Sequence, residues 1–483
     1  MESIWQAAAG LPQFPPLAGD LQKDAVVVGG GITGLLTAAR LRRAGLDTAV
    51  IERETIASGV TAGTTAKITA QHGLIYDKLI RALGRERALQ YAQANRRAID
   101  RYWELAAELG ARCGLEEKDA YVYSTASGAK TRREAAAAQS LGIPASLVAK
   151  TALPFPVTNA VRFAKQAQFH PLQFLAALSK GMEIYEHTMA TAIGRGEVLT
   201  PCGTVKAKAV VLATHFPIVN VPGFFFMRMH QERSYVLALE NAAPVGGMYI
   251  GEEKHSLSFR DAEGCLLLGG EGTRTGKNRE GGNFERLLQS AEAFYPGCRV
   301  KYRWAAQDCM PMDGVPFIGP ISEKWPEVYV ATGFQKWGMT TAMAAAEILT
   351  DLICGRENKA AAVFTPQRFR PLASAPKLLL DGAQTVYSIA KEKLEIPHGT
   401  LFAIPNGTAA VVKVEGEKVG VYKTPDGGAY FVSVRCPHLG CRLEWNPAEL
   451  TWDCPCHGSR FDYTGKLLND PAQKRIDEKE SIR

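Results

Sequence analysis

The sequence predicts an α/β domain of the Rossmann type with an interleaved α+β substrate domain, followed by a small all-β domain. An apolar strand, a glycine-rich turn, a helical run and a second apolar strand follow one another between residues 24 and 52. Between residues 395 and 483, short strand-like runs alternate with turns, and two loops carry cysteines and histidines. We therefore predict one unit over residues 1–355, a linker with a docking helix over 356–394, and the all-β domain over 395–483.

The composition is that of a folded globular protein with two or three domains. The chain has 483 residues, of which 46% are hydrophobic and 22% charged. Its net charge of +7 is spread along the sequence without a long basic run, which argues against nucleic-acid binding. Without a secretory signal at the start or an uninterrupted stretch of 18 apolar residues, we expect a cytoplasmic protein that makes no stable membrane insertion.

The glycine-rich turn fits a dinucleotide-binding motif in its required context. Gly29 permits the tight turn after the strand at residues 25–28, Gly31 lets a pyrophosphate approach the backbone, and Gly34 lets the helix pack against the strand. The helix start favours phosphate, and Glu52, at the end of the second strand, can accept hydrogen bonds from a ribose. This motif alone does not distinguish FAD from NAD.

Later segments narrow the choice of cofactor. A hydroxyl-rich loop spans residues 58–67, a strand ends at Thr214, and the segment 313–320 precedes a strand that ends in Thr332-Gly333 and then a helical run from Met339. With the glycine-rich turn, residues 24 to about 355 resemble the FAD-dependent amine oxidoreductases related to D-amino-acid oxidase, glycine oxidase and dimethylglycine dehydrogenase. The resemblance implies FAD as the cofactor.

The motif and the resemblance together imply a set of cofactor-binding residues. They are Gly29, Gly31, Ile32, Thr33, Gly34, Glu52, Arg53, Ser58, Thr61, Gly63, Thr64, Thr65, Lys67, Thr214, Asp313, Gly333, Phe334, Gly338, Met339 and Thr340. In the family, the segment around Gly333 to Thr340 faces the pyrimidine end of the flavin, where a helix start favours negative charge. Lys67 stands where some relatives carry a histidine that binds flavin covalently, so we expect noncovalent FAD.

The resemblance also suggests where a substrate binds. Glycine oxidase-like members hold the substrate carboxylate with an arginine in a segment that corresponds here to Trp304-Ala305-Ala306-Gln307-Asp308. An acid at this place favours a cationic substrate such as an amine, although Asp308 could instead cap a turn or pair with Arg303. We take Gln307, Asp308, Tyr235 and His230 as the candidate catalytic residues, the last two because their segment runs near the family's substrate pocket.

The C-terminal loops read Cys436-Pro-His438 and Cys454-Pro-Cys-His457. This is a Rieske arrangement, in which two thiolates hold one iron of a [2Fe-2S] cluster and two imidazoles hold the other. A structural zinc site is the alternative, although the spacing is not that of a zinc finger. Such a cluster passes single electrons.

Residues 395–483 resemble in particular the disulfide-bearing Rieske domain of quinol-oxidising respiratory complexes. The resemblance implies a disulfide between Cys441 and Cys456, each of which lies beside a proposed ligand of the opposing loop. Ser459 keeps a serine that donates a hydrogen bond toward the cluster in those proteins, but Phe461 replaces a tyrosine that donates another. Losing that bond should lower the reduction potential.

The combined prediction is a dehydrogenase fused to its own one-electron carrier. It would oxidise a C–N bond of a small amine or amino acid by hydride transfer to FAD, with electrons leaving singly through the cluster to an external acceptor. Electron flow in the opposite direction and a noncatalytic redox sensor remain open alternatives. A Rieske oxygenase is disfavoured because no pair of histidines with a nearby acid suggests a mononuclear iron site.

Overall fold

The computed structural model describes residues 2–8, 10–368, 403–414 and 416–476. Up to residue 368 the strands are β1 (Leu21–Val28), β2 (Thr48–Ile51), β3 (Lys67–Ile68), β4 (Glu116–Ser124), β5 (Ala145–Val148), β6 (Asn159–Gln168), β7 (Glu183–Tyr185), β8 (Ala192–Gly194), β9 (Glu197–Thr200), β10 (Gly203–Leu212), β11 (Met229–Glu240), β12 (Met248–Gly251), β13 (Ser258–Ala262), β14 (Cys265–Arg274), β15 (Arg299–Pro311), β16 (Phe317–Ser322) and β17 (Trp325–Thr332). After residue 403 they are β18 (Ala409–Val414), β19 (Glu417–Lys423), β20 (Ala429–Ser433), β21 (Glu444–Asn446), β22 (Thr451–Asp453), β23 (Arg460–Asp462) and β24 (Leu467–Asn469).

In the described part of the chain, the helices lie before residue 368. They are α1 (Ile32–Arg43), α2 (Tyr76–Leu83), α3 (Arg85–Glu108), α4 (Ala129–Ser140), α5 (Pro171–Leu178), α6 (Asn283–Phe294), α7 (Gly338–Ile353) and α8 (Ala361–Phe364), with short 3₁₀ helices at Gln6–Ala8, Val60–Gly63 and Phe225–Met227. None of the helices in the described part of the chain combines the length and the hydropathy needed to cross a bilayer.

The first sheet has the order β16-β17-β10-β1-β2-β7, and the strands from β17 to β7 run parallel. Parallel strands need cover on both faces, and the residues at 25–28 of β1 are accordingly buried. Helices α1 and α7 pack against each other. The predicted strand, turn, helix and strand between residues 24 and 52 are confirmed.

The second sheet has nine strands and is largely antiparallel, in the order β15-β11-β14-β13-β12-β4-β6-β3, with β5 beside β6. Its longest pairing joins β11 to β15, from Met229 opposite Pro311 to Glu240 opposite Arg299. Side chains along each strand alternate between the two faces of such a sheet. This alternation decides below which residues of β11 and β15 face the cavity.

The first part of the predicted linker is packed on the larger unit. Residues 356–368 pack on the larger unit, because Val363 and Phe364 of α8 are buried and the Arg368 guanidinium pairs with Asp313 at 2.7 Å. The predicted helix at 376–394 lies outside the described residues.

The C-terminal unit is all-β, as predicted. It consists of a three-stranded sheet, β18-β19-β20, and a four-stranded sheet, β21-β22-β23-β24. Trp452 and Phe461 are buried in its core together with the four loop cysteines. The unit rests on the larger one so closely that a Cβ at Gly276 would lie 2.4 Å from the backbone nitrogen of Pro455.

Candidate active site and metal centre

The glycine-rich turn after β1 leaves no room for side chains at two positions. Gly29 has a φ of +110°, and a Cβ there would lie 2.6 Å from the Ala213 carbonyl oxygen. A Cβ at Gly34 would lie 1.9 Å from the Gly29 carbonyl oxygen. The turn therefore brings the start of α1 directly to the end of β1, where Gly31, Ile32 and Thr33 line a cavity.

This cavity has a volume of about 710 Å³, within the usual range for small-molecule and cofactor sites. It extends from the glycine-rich turn past the hydroxyl-rich loop to the start of α7 and the strands β11 and β15. The predicted cofactor residues that line it are Gly29, Gly31, Ile32, Thr33, Glu52, Arg53, Ser58, Thr61, Gly63, Thr64, Thr65, Lys67, Thr214, Gly333, Phe334, Gly338 and Met339. The structure thus brings segments from four distant parts of the chain to one site.

Three predicted cofactor residues do not line the cavity. Gly34 packs against the Gly29 carbonyl. The Asp313 carboxylate accepts hydrogen bonds from Arg368, and the Thr340 hydroxyl donates to the Thr69 carbonyl at 2.8 Å. These residues support the walls of the cavity, so a role in binding the cofactor would be indirect for them.

Two charged residues that line the cavity, Glu52 and Lys67, have shifted pKa values. The Glu52 carboxylate accepts from the backbone N–H groups of Gly30 at 2.7 Å and Glu54 at 2.9 Å, while burial raises its pKa. Each of its oxygens can still accept a second bond, so the carboxylate has the capacity to accept from a ribose hydroxyl. Burial, with a contribution from Arg260, lowers the pKa of Lys67 to about 7, and the Lys67 ammonium donates to the Ser258 hydroxyl.

The two cysteine and histidine loops form tight turns that face each other. Gly440 N–H donates to the Cys436 carbonyl at 2.9 Å, and Gly458 N–H donates to the Cys454 carbonyl at 3.0 Å. The ring centroids of His438 and His457 lie 4.9 Å apart. The turns therefore bring the two imidazoles together, and the Cys436 and Cys454 thiols are hydrogen-bonded to each other.

The chemistry of these four side chains fits a cluster with two sulfur and two nitrogen ligands. The Nδ1 atoms of His438 and His457 are buried and have no hydrogen-bond partner, and burial lowers the pKa of these rings to about 4 and about 3, which keeps them neutral. The hydrogen bond between the two thiols lowers the pKa of Cys436 and, together with burial, raises the pKa of Cys454, because the proton of one thiol stabilises the thiolate of the other. Thiolates and neutral imidazoles are the forms that bind metal.

A disulfide joins Cys441 to Cys456 between the two loops, with the Cα atoms 6.7 Å apart. Their sulfurs lie within 4.8 Å of each other and of the Cys454 sulfur. Because the Cys441 and Cys456 sulfurs are bonded to each other, these three cysteines do not form a separate metal site.

Residues 24–352 match the family described as FAD dependent oxidoreductase, and residues 398–480 match the Rieske [2Fe-2S] domain. The chain belongs to the FAD dependent oxidoreductase family. It carries a C-terminal Rieske domain, and these two domains imply FAD and a [2Fe-2S] cluster as its cofactors. We call the residues up to 368 the FAD domain and those from 403 the Rieske domain.

Known proteins resemble both the whole chain and the FAD domain. A Bacillus subtilis protein named as a Rieske 2Fe-2S iron-sulfur protein, YhfW, is 37% identical over 98% of this chain and 97% of its own length. Glycine oxidase from Geobacillus kaustophilus covers 72% of this chain with 100% of its own, at a TM-score of 0.60 and 20% identity. L-amino acid deaminase from Proteus vulgaris covers 74% of this chain with 97% of its own, at a TM-score of 0.61 and 18% identity.

The candidate catalytic residues of the FAD domain fall into two groups. Asp308 and Tyr235 line the cavity. Burial raises the pKa of Asp308 to about 7, and Lys336 and Glu232 act on it in opposite directions. The Tyr235 hydroxyl accepts from the Asn278 amide at 2.9 Å.

Gln307 and His230 do not line the cavity. The Gln307 amide donates to the Gly458 carbonyl at 2.8 Å and to the Gln231 side chain at 2.7 Å. Gln307 therefore joins the two domains, and its position gives no support to a direct contact with substrate. His230 contacts Glu232 at 3.3 Å, and Glu232 itself reaches the cavity.

Sequence reasoning missed several residues that line the cavity. From the FAD domain these include Glu232, Ser234, Arg274, Lys336 and Trp337, and from the Rieske domain Leu468, Asn469, Asp470 and Gln473. Lys336 and Trp337 lie inside the segment already singled out at 333–340, so taking every residue of that segment would have found them. No local signal points to the residues of the Rieske domain, which reach the cavity only because the domains dock.

The histidine side of the cluster site is packed against the FAD domain. The His438 ring bonds through Nε2 to the Asn220 amide oxygen at 2.7 Å. The Phe226 ring lies edge-on to both histidines, 6.2 Å from His438 and 5.7 Å from His457. The Gln231 amide donates to the His457 carbonyl at 2.7 Å.

A buried ionic group also crosses the domain interface. Arg233 of β11 pairs with Glu449 of the Rieske domain, and Glu449 pairs with Arg460 at 2.9 Å. Arg460 in turn pairs with Asp453 at 3.0 Å, and all four side chains are at least 94% buried. Closer to the cavity, the Arg53 guanidinium pairs with Asp470 at 2.8 Å.

Proposed function

We propose that this chain oxidises a C–N bond of a small amine or amino acid and passes the electrons one at a time through the Rieske domain to an external acceptor. When bound, FAD supplies a two-electron hydride acceptor and the cluster a one-electron carrier. The observation that carries the proposal is the position of strands β11 and β15. They separate the cavity from the second cluster loop, with Asp308 on the cavity face and Gln307 bonded to the Gly458 carbonyl on the other.

Within this proposal, FAD is held noncovalently. The glycine-rich turn and the start of α1 receive the pyrophosphate, Glu52 the ribose, and the segment from Gly333 to Met339 the flavin ring. The covalent alternative lacks a histidine at the relevant place, because Lys67 stands there with its ammonium bonded to Ser258.

The polar end of the cavity suits a substrate that carries an amino group and a carboxylate. Glu232 and Asp308 offer negative charge, and Lys336 lies 3.6 Å from Glu232 and lines the same space. An Asp308 carboxyl with a pKa of about 7 can take a proton from a substrate ammonium near neutral pH. A neutral amine is the form from which a hydride leaves, so this proton acceptor would favour oxidation.

Docking of the Rieske domain makes the step between the two cofactor sites intramolecular. A tethered partner acts at a high effective concentration, which supports a fast transfer after substrate oxidation. The same geometry serves electron flow from the cluster to the flavin, so the direction of electron flow stays a prediction. The cytoplasmic location also stays a prediction.

The test is anaerobic mixing of the full chain, loaded with both cofactors, with a panel of amines and amino acids. We expect one class of compound to bleach the flavin absorbance, and the Rieske EPR signal to rise afterwards. Bleaching without a later EPR signal would contradict the intramolecular relay. If no compound bleaches the flavin and an external reductant reduces the cluster first, the reverse direction or a sensor is favoured instead.

A further inference from the structure

Four large apolar side chains are exposed beside the cluster site. Val221 is 59% exposed, Phe224 47%, Met227 51% and Leu439 42%. Single exposed apolar residues are ordinary, whereas a group of them in one place marks an interaction site. We call these four residues the rim.

The rim is one surface because its members flank residues that touch each other. Val221 follows Asn220 in the chain and Leu439 follows His438, and the Asn220 and His438 side chains are bonded at 2.7 Å. The rim therefore includes residues from both domains.

The aromatic part of the rim lies next to the same histidine. Phe224 is 6.2 Å from Phe226 between ring centroids, and Phe226 is 6.2 Å from His438. Met227 follows Phe226 in the 3₁₀ helix Phe225–Met227. His457 is 3% exposed, so His438 is the cluster histidine that comes closer to solvent.

The charge around the rim has one sign. The two segments that form it, residues 215–228 and 435–443, contain no aspartate or glutamate, and Arg435 is exposed. Arg228 donates to the Gly223 and Arg368 carbonyls and Arg442 is 7% exposed, so Arg435 is the arginine of these segments that a partner can reach. The whole chain carries a net charge of +7. A partner that docks here should therefore present an apolar face within an acidic surface.

The hydrogen bonding of His438 distinguishes between two kinds of acceptor. A quinone would need a donor at the cluster, and the Nε2 atom of His438 is already bonded to Asn220. A protein carrier needs only close approach of the two redox centres, which an apolar rim provides. This favours a protein over a quinone dissolved in a membrane.

We propose that the rim docks a small acidic one-electron carrier protein, to which the reduced cluster gives its electron. The inference rests on the proposed function, since it supplies the external acceptor named there. In this step the cluster is oxidised by one electron and the carrier is reduced by one electron, with no bond made or broken. Weak electron-transfer complexes bury less than about 1,200 Å² in total, so a rim of four side chains is a suitable size for the apolar centre.

The experiment uses the full chain with both cofactors and needs no substrate. Light and a deazaflavin with a sacrificial donor reduce the protein anaerobically, and EPR confirms that the cluster is reduced. The reduced protein is then mixed with an acidic or a basic c-type cytochrome, which share a haem and differ in charge. We expect the acidic cytochrome to be reduced at least about tenfold faster at low ionic strength, and salt to remove the advantage.

Substitutions locate the docking surface. The double variant Phe224→Ser/Leu439→Ser and the charge reversal Arg435→Glu should each slow reduction of the acidic cytochrome about tenfold. Leu199→Ser and Lys180→Glu are matched controls on exposed residues of the FAD domain and should react as the unmodified protein does. The rate of electron transfer from flavin to cluster should stay the same in all four proteins.

Three results would overturn the inference: equal rates with both cytochromes, rim variants that react normally, or faster reduction of menaquinone in phosphatidylglycerol vesicles than of the acidic cytochrome. Hydroxyl-radical footprinting gives an independent check, since Phe224 and Met227 should be labelled in the free chain and protected by the acidic cytochrome. Protection already present in the free chain also counts against the rim as a docking site. A reduced flavin that never reduces the cluster contradicts the proposed function instead.

Discussion

The ion pair between Arg233 and Glu449 should hold the two domains in one arrangement. Its side chains are 6% and 5% exposed, and Glu449 also pairs with Arg460. Removing one partner of a buried pair typically costs about 3–5 kcal/mol, because the other charge is left buried. Since Arg460 still compensates Glu449, we place Arg233→Met at the lower end, about 3 kcal/mol. That is a factor of about 150 in the equilibrium between docked and undocked domains.

The assay is denaturant unfolding of the protein with both cofactors, followed by flavin fluorescence and by the visible absorbance of the cluster. In the unmodified protein we expect the two transitions to coincide, and in Arg233→Met the cluster signal should change at lower denaturant than the flavin signal. Arg279→Met is the matched control: the Arg279 and Glu444 side chains also pair across the interface at 2.6 Å, but Arg279 is 56% exposed. Exposed pairs contribute about 0–1 kcal/mol, so this variant should unfold like the unmodified protein.

The same pair predicts how docking depends on acidity. Burial acts to raise the pKa of Glu449, but Arg233 and Arg460 outweigh it and lower the pKa to about 2. A carboxyl whose pKa is lowered on folding stabilises the folded form above its unfolded pKa of about 4.3, and the stabilisation disappears as the pH falls toward 2. The domains should therefore separate first in acid. The reasoning would be refuted if the flavin and cluster signals of Arg233→Met changed together, at the same denaturant midpoint as those of Arg279→Met.

Three further predictions concern the cofactor and substrate sites. With a reactive amine, flavin reduction should accelerate as the pH rises through about 7, where Asp308 loses its proton, and stopped-flow measurements of Asp308→Asn should lack this inflection. Phe461→Tyr should raise the midpoint potential of the cluster in an EPR redox titration of the full chain, because a restored hydrogen bond stabilises the reduced form. Gly29→Ala, whose Cβ would lie 2.6 Å from the Ala213 carbonyl oxygen, should retain at least about tenfold less FAD by absorbance, whereas Gly10→Ala has open space and should retain it fully.

The parts of the fold that follow from local spacing could be predicted from the sequence. Gly29 and Gly34 are required by backbone contacts within one turn, and their spacing reveals that turn without any knowledge of the rest of the chain. The cluster loops are equally local, because each supplies its cysteine and histidine within four residues. For these features the residue types and the geometry are tied together over a few positions.

The candidate site could not be predicted where it depends on strand faces or on domain docking. Gln307 and Asp308 are neighbours in β15, so their side chains point to opposite faces of the sheet, and only Asp308 reaches the cavity. Treating the two residues as one catalytic group ignored this alternation. Asp470 lines the cavity from the Rieske domain, 417 positions after Arg53, with which it pairs. Nothing in the sequence specifies such a contact.

The same alternation explains how one sheet can serve two sites. Along β11, Glu232 and Ser234 reach the cavity, whereas Gln231 and Arg233 bond to the Rieske domain. Tyr235 is an exception, because it lines the cavity and its hydroxyl accepts from Asn278, which also bonds Asn446 of the Rieske domain. Glu232 and Ser234 on one face and Gln231 and Arg233 on the other can vary independently. The backbone they share fixes the distance between the two sites, so docking by Arg233 sets the electron-transfer geometry without any contact to substrate. Electrons can therefore pass from the cavity to the cluster across β11 and β15, while the cavity face of these strands is shaped for the substrate.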